Sequence, residues 1–99
     1  MASLRVLKGE DAGRVFDLPS SGEVKLGRKP DNEVQVQDTR VSSLHLVLEC
    51  TGGVWFVTDL GSRNGTFVNR EKIDQKKALF AGDRILVGKT LMELVEDED

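Results

Sequence analysis

The apolar residues of this chain come in short bursts that glycine or polar clusters cut off before a helix could complete three turns. "LRVLK", "RVFDL", "EVKLG", "EVQVQ", "LHLVLE", "VWFVTDL", "TFVN", "DRILVG" and "TLMELV" follow one another along the sequence, each of strand length and each β-like in residue type. Several alternate with a period of two. From His45 to Cys50, Leu46, Leu48 and Cys50 fall on one face and His45, Val47 and Glu49 on the other, as a pleated strand requires. Between the bursts lies turn chemistry: "GED" and "DAG" near the start, then "PSSG", "KPDN", "TGG", "GSRNG" and "AGD".

One stretch competes as a helix. "REKIDQKKALF" is long enough, but its apolar residues Ile73, Leu79 and Phe80 make no amphipathic stripe, so it reads as a hairpin or an irregular connection. Consecutive Trp55 and Phe56 must point to opposite faces, one of them into the core. Many short strands without helices predict an all-β sandwich or barrel.

Length and composition narrow the class further. Ninety-nine residues suit one domain with one modest core. No run of about 18 apolar residues could span a membrane, and the opening "MASLRVLKGED" lacks the apolar stretch of a signal peptide, so a soluble intracellular, cytoplasmic protein is expected. The lone Cys50 agrees with a reducing compartment. The net charge of −3 comes from the terminal run Glu96, Asp97, Glu98 and Asp99, without which it is −3 + 4 = +1. That run, residues 96–99, reads as a solvated tail or the start of a linker. A nearly neutral body has no basic excess for general nucleic-acid binding.

The elementary catalytic arrangements fail. Cys50 and His45 lie on opposite faces of one predicted strand and roughly 17 Å apart at about 3.4 Å per residue, too far for a dyad. One histidine and one cysteine are too few soft ligands for a structural zinc site. "GSRNGT" lacks the lysine and the strand-loop-helix setting of a nucleotide-binding loop. No spacing favours a carboxylate pair. The sequence therefore predicts no enzyme, no metal and no cofactor.

Three polar loops remain: "GRKPDN" at 27–32, "DTRVSSLH" at 38–45 and "GSRNG" at 61–65. They offer guanidinium forks, hydroxyls and exposed backbone N–H groups, which suit a phosphate dianion, and an asparagine amide that can both donate to and accept from a peptide backbone.

The stretches "LGRKPDNEVQV", "VSSLHLVLE", "DLGSRNGTFVN" and "AGDRILVG" stand in the order and spacing of the forkhead-associated (FHA) domain, and the chain resembles that family over residues 4–95. The resemblance implies a β-sandwich of about eleven mostly antiparallel strands that recognises phosphothreonine peptides with loops at one end. Position by position, Arg28 resembles the family's phosphate-binding arginine and Ser42 the serine whose hydroxyl and backbone hold the phosphate. Ser43, counted with them, stands where the family often has arginine, asparagine or lysine, a loss of side-chain reach that bears on affinity and preference. Arg63 falls beside the phosphothreonine, where its charge can compensate, and Asn64 resembles the asparagine that binds the peptide main chain. His45 resembles a histidine that braces the loops, and Gly27, Gly61 and Gly65 look like backbone requirements. Lys29 and Arg40 are steering charges.

The implied partner is a protein segment bearing phosphothreonine, on a Ser/Thr kinase or its substrate or on the same polypeptide, with neither nucleic acid nor membrane involved and the domain monomeric. Read residue by residue, other uses stay open. Arg28 could pair with Asp31 or Asp38, Ser42 and Ser43 could be turn formers, and Asn64-Gly65 is the preferred pair of a type I′ hairpin turn. Two other functions stay open as well: a phosphorylation-independent interaction or assembly module, and a regulatory domain cut from a larger enzyme.

Overall fold

The computed structural model describes residues 1–96; Asp97, Glu98 and Asp99, most of the acidic run, lie outside them. The described residues form eleven strands in two sheets. They are β1 (Ala2–Lys8), β2 (Val15–Asp17), β3 (Gly22–Gly27), β4 (Val34–Gln35), β5 (Leu46–Thr51), β6 (Val54–Asp59), β7 (Thr66–Val68), β8 (Glu71–Lys72), β9 (Lys77–Leu79), β10 (Arg84–Val87) and β11 (Thr90–Glu96). One sheet runs β2-β1-β11-β10-β7-β8 and the other β4-β3-β5-β6-β9. Every pairing is antiparallel except that of β3 with β4. Glu96 is the last residue of β11 and pairs with Ala2, so the acidic run begins inside the sheet rather than after it.

The period of two sorts the side chains. In β11, Thr90, Met92 and Leu94 are buried while Leu91, Glu93 and Val95 are only partly so. Leu46 and Leu48 of β5 are fully buried and meet Leu4, Val6, Ile85 and Val87 of the opposite sheet in one core. Each such side chain contributes about 1.5–3 kcal/mol of transfer free energy. Trp55 is buried and Phe56 half-buried, with Trp55 set across from Cys50 and Leu79. His45, predicted to open a strand, instead ends a loop immediately before β5, and it is completely buried. No helix of the described residues is long and apolar enough to cross a membrane.

The stretch that competed as a helix is a crossing between sheets. β8 closes a hairpin with β7, whereas β9 joins β6 in the other sheet. Ile73 and Leu79 are buried along this path while Phe80 stays exposed, which is why no helical stripe was present. The β7–β8 hairpin turns on Asn69 and Arg70, with φ of 49° and 75°. Positive φ at both central residues is the type I′ signature.

The strand ends decide where the loops go. β3, β4 and β5 on one side, and β6 running into β7 across the sandwich, leave segments 28–33, 36–45 and 60–65 together at one end.

Candidate functional site

The three segments are stapled backbone to backbone. Arg28 N donates to Ser42 O at 3.0 Å and Lys29 N to Ser43 O at 3.3 Å. The close approach leaves no room at Gly27, where a Cβ would sit 2.2 Å from Ser43 O, so glycine here is a packing requirement. Gly61 and Gly65 have φ of 71° and 86°, values that only glycine adopts without strain. Asn64, just before Gly65, is absent from the positive-φ residues, so Asn64-Gly65 is not a type I′ turn, which sits five residues later.

His45 is the central brace. Its Nδ1 accepts the Ser42 backbone N–H at 3.0 Å, and its Nε2 lies 2.9 Å from Gly65 O. An accepting Nδ1 leaves Nε2 as the protonated nitrogen, donating to that carbonyl. The His45 N–H goes to Leu26 O and its carbonyl accepts from Leu60 N. One buried residue thus ties β3 to both other loops.

Around this brace, an open cleft of about 540 Å³ is lined by Arg28, Arg40, Ser42, Ser43, Arg63 and Asn64, with Thr39 and Val41 between them. Among the described residues no acidic side chain lines it. Arg28 Nε donates to Val41 O at 3.1 Å, which holds the guanidinium at the rim. Among the described residues it pairs with neither Asp31 nor Asp38, so its terminal nitrogens remain for a ligand. Ser42 Oγ accepts the Arg63 backbone N–H at 3.0 Å, which uses a lone pair and leaves the O–H free to donate. Asn64 Nδ2 donates to Arg40 O at 2.8 Å, fixing the amide while its Oδ1 stays available. Ser43 contributes a half-buried hydroxyl, and its carbonyl anchors the loop.

Three residues outside the predicted site also shape the cleft. Asn32 is buried and its Nδ2 bridges Lys29 O at 2.9 Å and Ser43 O at 2.7 Å; the turn cluster "KPDN" contained it without marking its reach. Asp38 accepts from Arg40 N, Lys89 N and Thr90 Oγ1, joining the second loop to the β10–β11 turn. Asp59 accepts from Ser62 N at 3.0 Å, from Thr66 Oγ1 at 2.7 Å and from Ser62 Oγ, which shapes the third loop as a side-chain-capped turn. A carboxylate three residues before a serine in "DLGS" was the available signal. Burial pushes both carboxyls up, but the hydrogen bonds they accept outweigh it, and both lie below their ordinary value.

Among the described residues no group of three His, Cys, Asp or Glu side chains converges that could hold a metal ion. Cys50 packs at the edge of the core.

The family model described as the cytoplasmic domain of the inner membrane component of T3SS matches residues 5–98. The glycogen accumulation regulator GarA of Mycolicibacterium smegmatis is 40% identical over 90 residues, which cover 89% of this chain and 54% of GarA. The chain spans about half the length of the GarA proteins it matches. An FHA domain solved in a structural and functional analysis of phosphothreonine-dependent FHA domain interactions superimposes with a TM-score of 0.88 at 32% identity, over 99% of this chain and 98% of that one. The FhaA FHA domain complexed with the intracellular domain of Rv3910 gives a TM-score of 0.85 at 32% identity, over 95% and 99% respectively. Matched over nearly its whole length by that family model, and alike in fold and sequence to FHA domains solved by themselves, the chain belongs to the FHA domain family.

Proposed function

We propose that this domain binds protein segments carrying phosphothreonine, through the cleft at the end of the sandwich, and catalyses no reaction. The observation that carries the reading is the convergence in one cleft, free of acidic side chains among the described residues, of the Arg28 guanidinium, the Ser42 hydroxyl and the Asn64 amide, from three loops of which the second and third share a buried histidine. The relatives support it, being a regulator and FHA domains solved with or for phosphothreonine-dependent and protein partners.

A phosphothreonine brings about −1.5 to −2 charges at neutral pH and three acceptor oxygens. Arg28 supplies charge and a planar donor pair, Ser42 an O–H donor, Arg63 and Ser43 further contacts at the rim, and Asn64 grips the flanking main chain. His45, Gly27, Gly61 and Gly65 set the loop geometry without touching the ligand. Partners phosphorylated by Ser/Thr kinases are intracellular proteins, which fits a domain working inside the cell with residues 4–95 as the binding module.

Titrating phosphothreonine, phosphoserine and plain threonine forms of one peptide pool by calorimetry tests the reading. The phosphothreonine form binds most tightly. The phosphoserine form is weaker by about fourfold, since one buried methyl is worth about 0.8 kcal/mol, and the plain form binds negligibly. Equal affinities for the three would refute it.

A further inference from the structure

The outer face of the six-stranded sheet carries a second feature, built from different side chains. Lys8 pairs with Leu91, Leu91 with Leu86, Leu86 with Phe67, and Phe67 with Lys72. These positions form one straight cross-strand row on the solvent face. The three apolar residues are half-buried and the row ends in lysine on both sides.

Over Leu86 and Leu91 lies a groove of about 440 Å³ whose walls include Lys8, Arg70, Arg84 and Lys89, with no acidic side chain lining it among the described residues. Among the described residues, Lys8, Arg70 and Lys89 make no ion pair. Arg84 reaches Glu93 only at 3.8 Å, and that carboxylate is engaged by Arg5 at 2.6 Å. Among the described residues, three of the four cations around the apolar floor are therefore without an ion pair.

Arg70 adds an independent sign. It occupies the second central position of the type I′ turn at φ 75°, where glycine is the low-strain residue, so the turn carries backbone strain with a guanidinium at the groove. Strained positions of this kind cluster at binding sites. Asn69 lashes the turn to β10: its N–H donates to Arg84 O at 2.8 Å, its Nδ2 to Asp83 Oδ1 at 3.1 Å, and its Oδ1 accepts from Arg84 N at 3.0 Å. At the other end, Lys89 N donates to Asp38 Oδ2 at 2.8 Å, and Asp38 also holds Arg40, which lines the cleft.

We propose that this groove is a second docking site, which takes an extended segment of a partner protein in which acidic side chains flank a large apolar one. The cations come from four separate places, the end of β1, the β7–β8 turn, β10 and the β10–β11 turn, which suits carboxylates spaced along a chain better than one phosphate. The recessed Leu86–Leu91 floor supplies the apolar contact. A partner held at the cleft has this groove within reach across the β10–β11 turn.

The test is an amide chemical-shift titration with three probes: a short synthetic peptide alternating Glu and Asp with Leu, its Gln/Asn counterpart, and phosphatidylglycerol vesicles. Saturable shifts at Leu86, Lys89 and Leu91 are expected with the acidic peptide alone. They persist in Arg28→Ala, which separates this site from the phosphothreonine cleft. Arg70→Gly weakens the peptide about threefold to fivefold, the scale of one partly exposed charge contact. Because that substitution also relieves the turn, an undiminished Tm shows that the loss is not unfolding. Shifts confined to the cleft loops, equal binding of the neutral peptide, binding of vesicles in place of the peptide, or no effect of Arg70→Gly would each overturn the proposal.

Discussion

The backbone N–H of Ser42 donates to Nδ1 of the fully buried His45 at 3.0 Å, so the serine of the cleft and the histidine beneath it move as one unit. Because Nε2 of the same ring faces Gly65 O at 2.9 Å, the second and third loops share a single brace. His45→Ala leaves the half-buried Ser42 N–H and the buried Gly65 carbonyl without partners and opens a cavity. It should destabilise the domain by about 2–4 kcal/mol, measured as a drop in the urea midpoint, and weaken peptide binding even under conditions where the variant is folded. A variant as stable as the parent would show that the brace carries no load.

Gly27→Ala places a methyl 2.2 Å from the Ser43 carbonyl. Both sides of that contact are backbone, held by the Arg28 N–Ser42 O and Lys29 N–Ser43 O bonds, so neither can swing away. The expected loss is about 2 kcal/mol or more, with amide shifts that spread along both loops. Unchanged stability would contradict the packing described.

Arg70→Gly should move stability the other way. Replacing a residue held at φ 75° by glycine removes strain of about 1–2 kcal/mol, partly offset by the greater freedom of the unfolded chain. A small rise in Tm is the expected outcome, and a fall of several degrees would show that the side chain contributes more than the turn loses.

Asp38 and Asp59 set an acid limit. Their folded-state pKa values lie below the ordinary 3.8, so the ionised forms favour the fold. That contribution is fully present above about pH 4 and is lost as pH falls through the lowered values. Unfolding free energy should therefore decline below pH 4, and Asp59→Asn should flatten part of the decline. Parallel pH profiles for the two proteins would remove Asp59 from the account.

Much of this was legible in the sequence because a strand prints its period directly. Leu46, Leu48 and Cys50 revealed the inward face of β5, and the glycine and polar clusters marked where strands stop. Arg28, Ser42, Ser43, Arg63 and Asn64, distant along the chain, line one cleft. What stayed hidden depends on pairing across the chain. Asn32 matters only because Ser43 O lies beside it, and Asp38 because Lys89 and Thr90 do. Asn64-Gly65 has the composition of a type I′ turn, yet the loop's bonds to Ser42 and Arg40 hold it otherwise, and the turn forms at Asn69-Arg70, a pair whose composition does not announce it.

The most direct measurement compares the affinity of one phosphothreonine peptide for the parent domain and for Arg28→Ala, whose side chain is exposed and, among the described residues, bonds to Val41 O alone. Removing a charge-assisted contact worth about 1.5–3 kcal/mol should weaken binding about tenfold to a hundredfold with the fold intact. Identical affinities for the two proteins would contradict a phosphate site in this cleft.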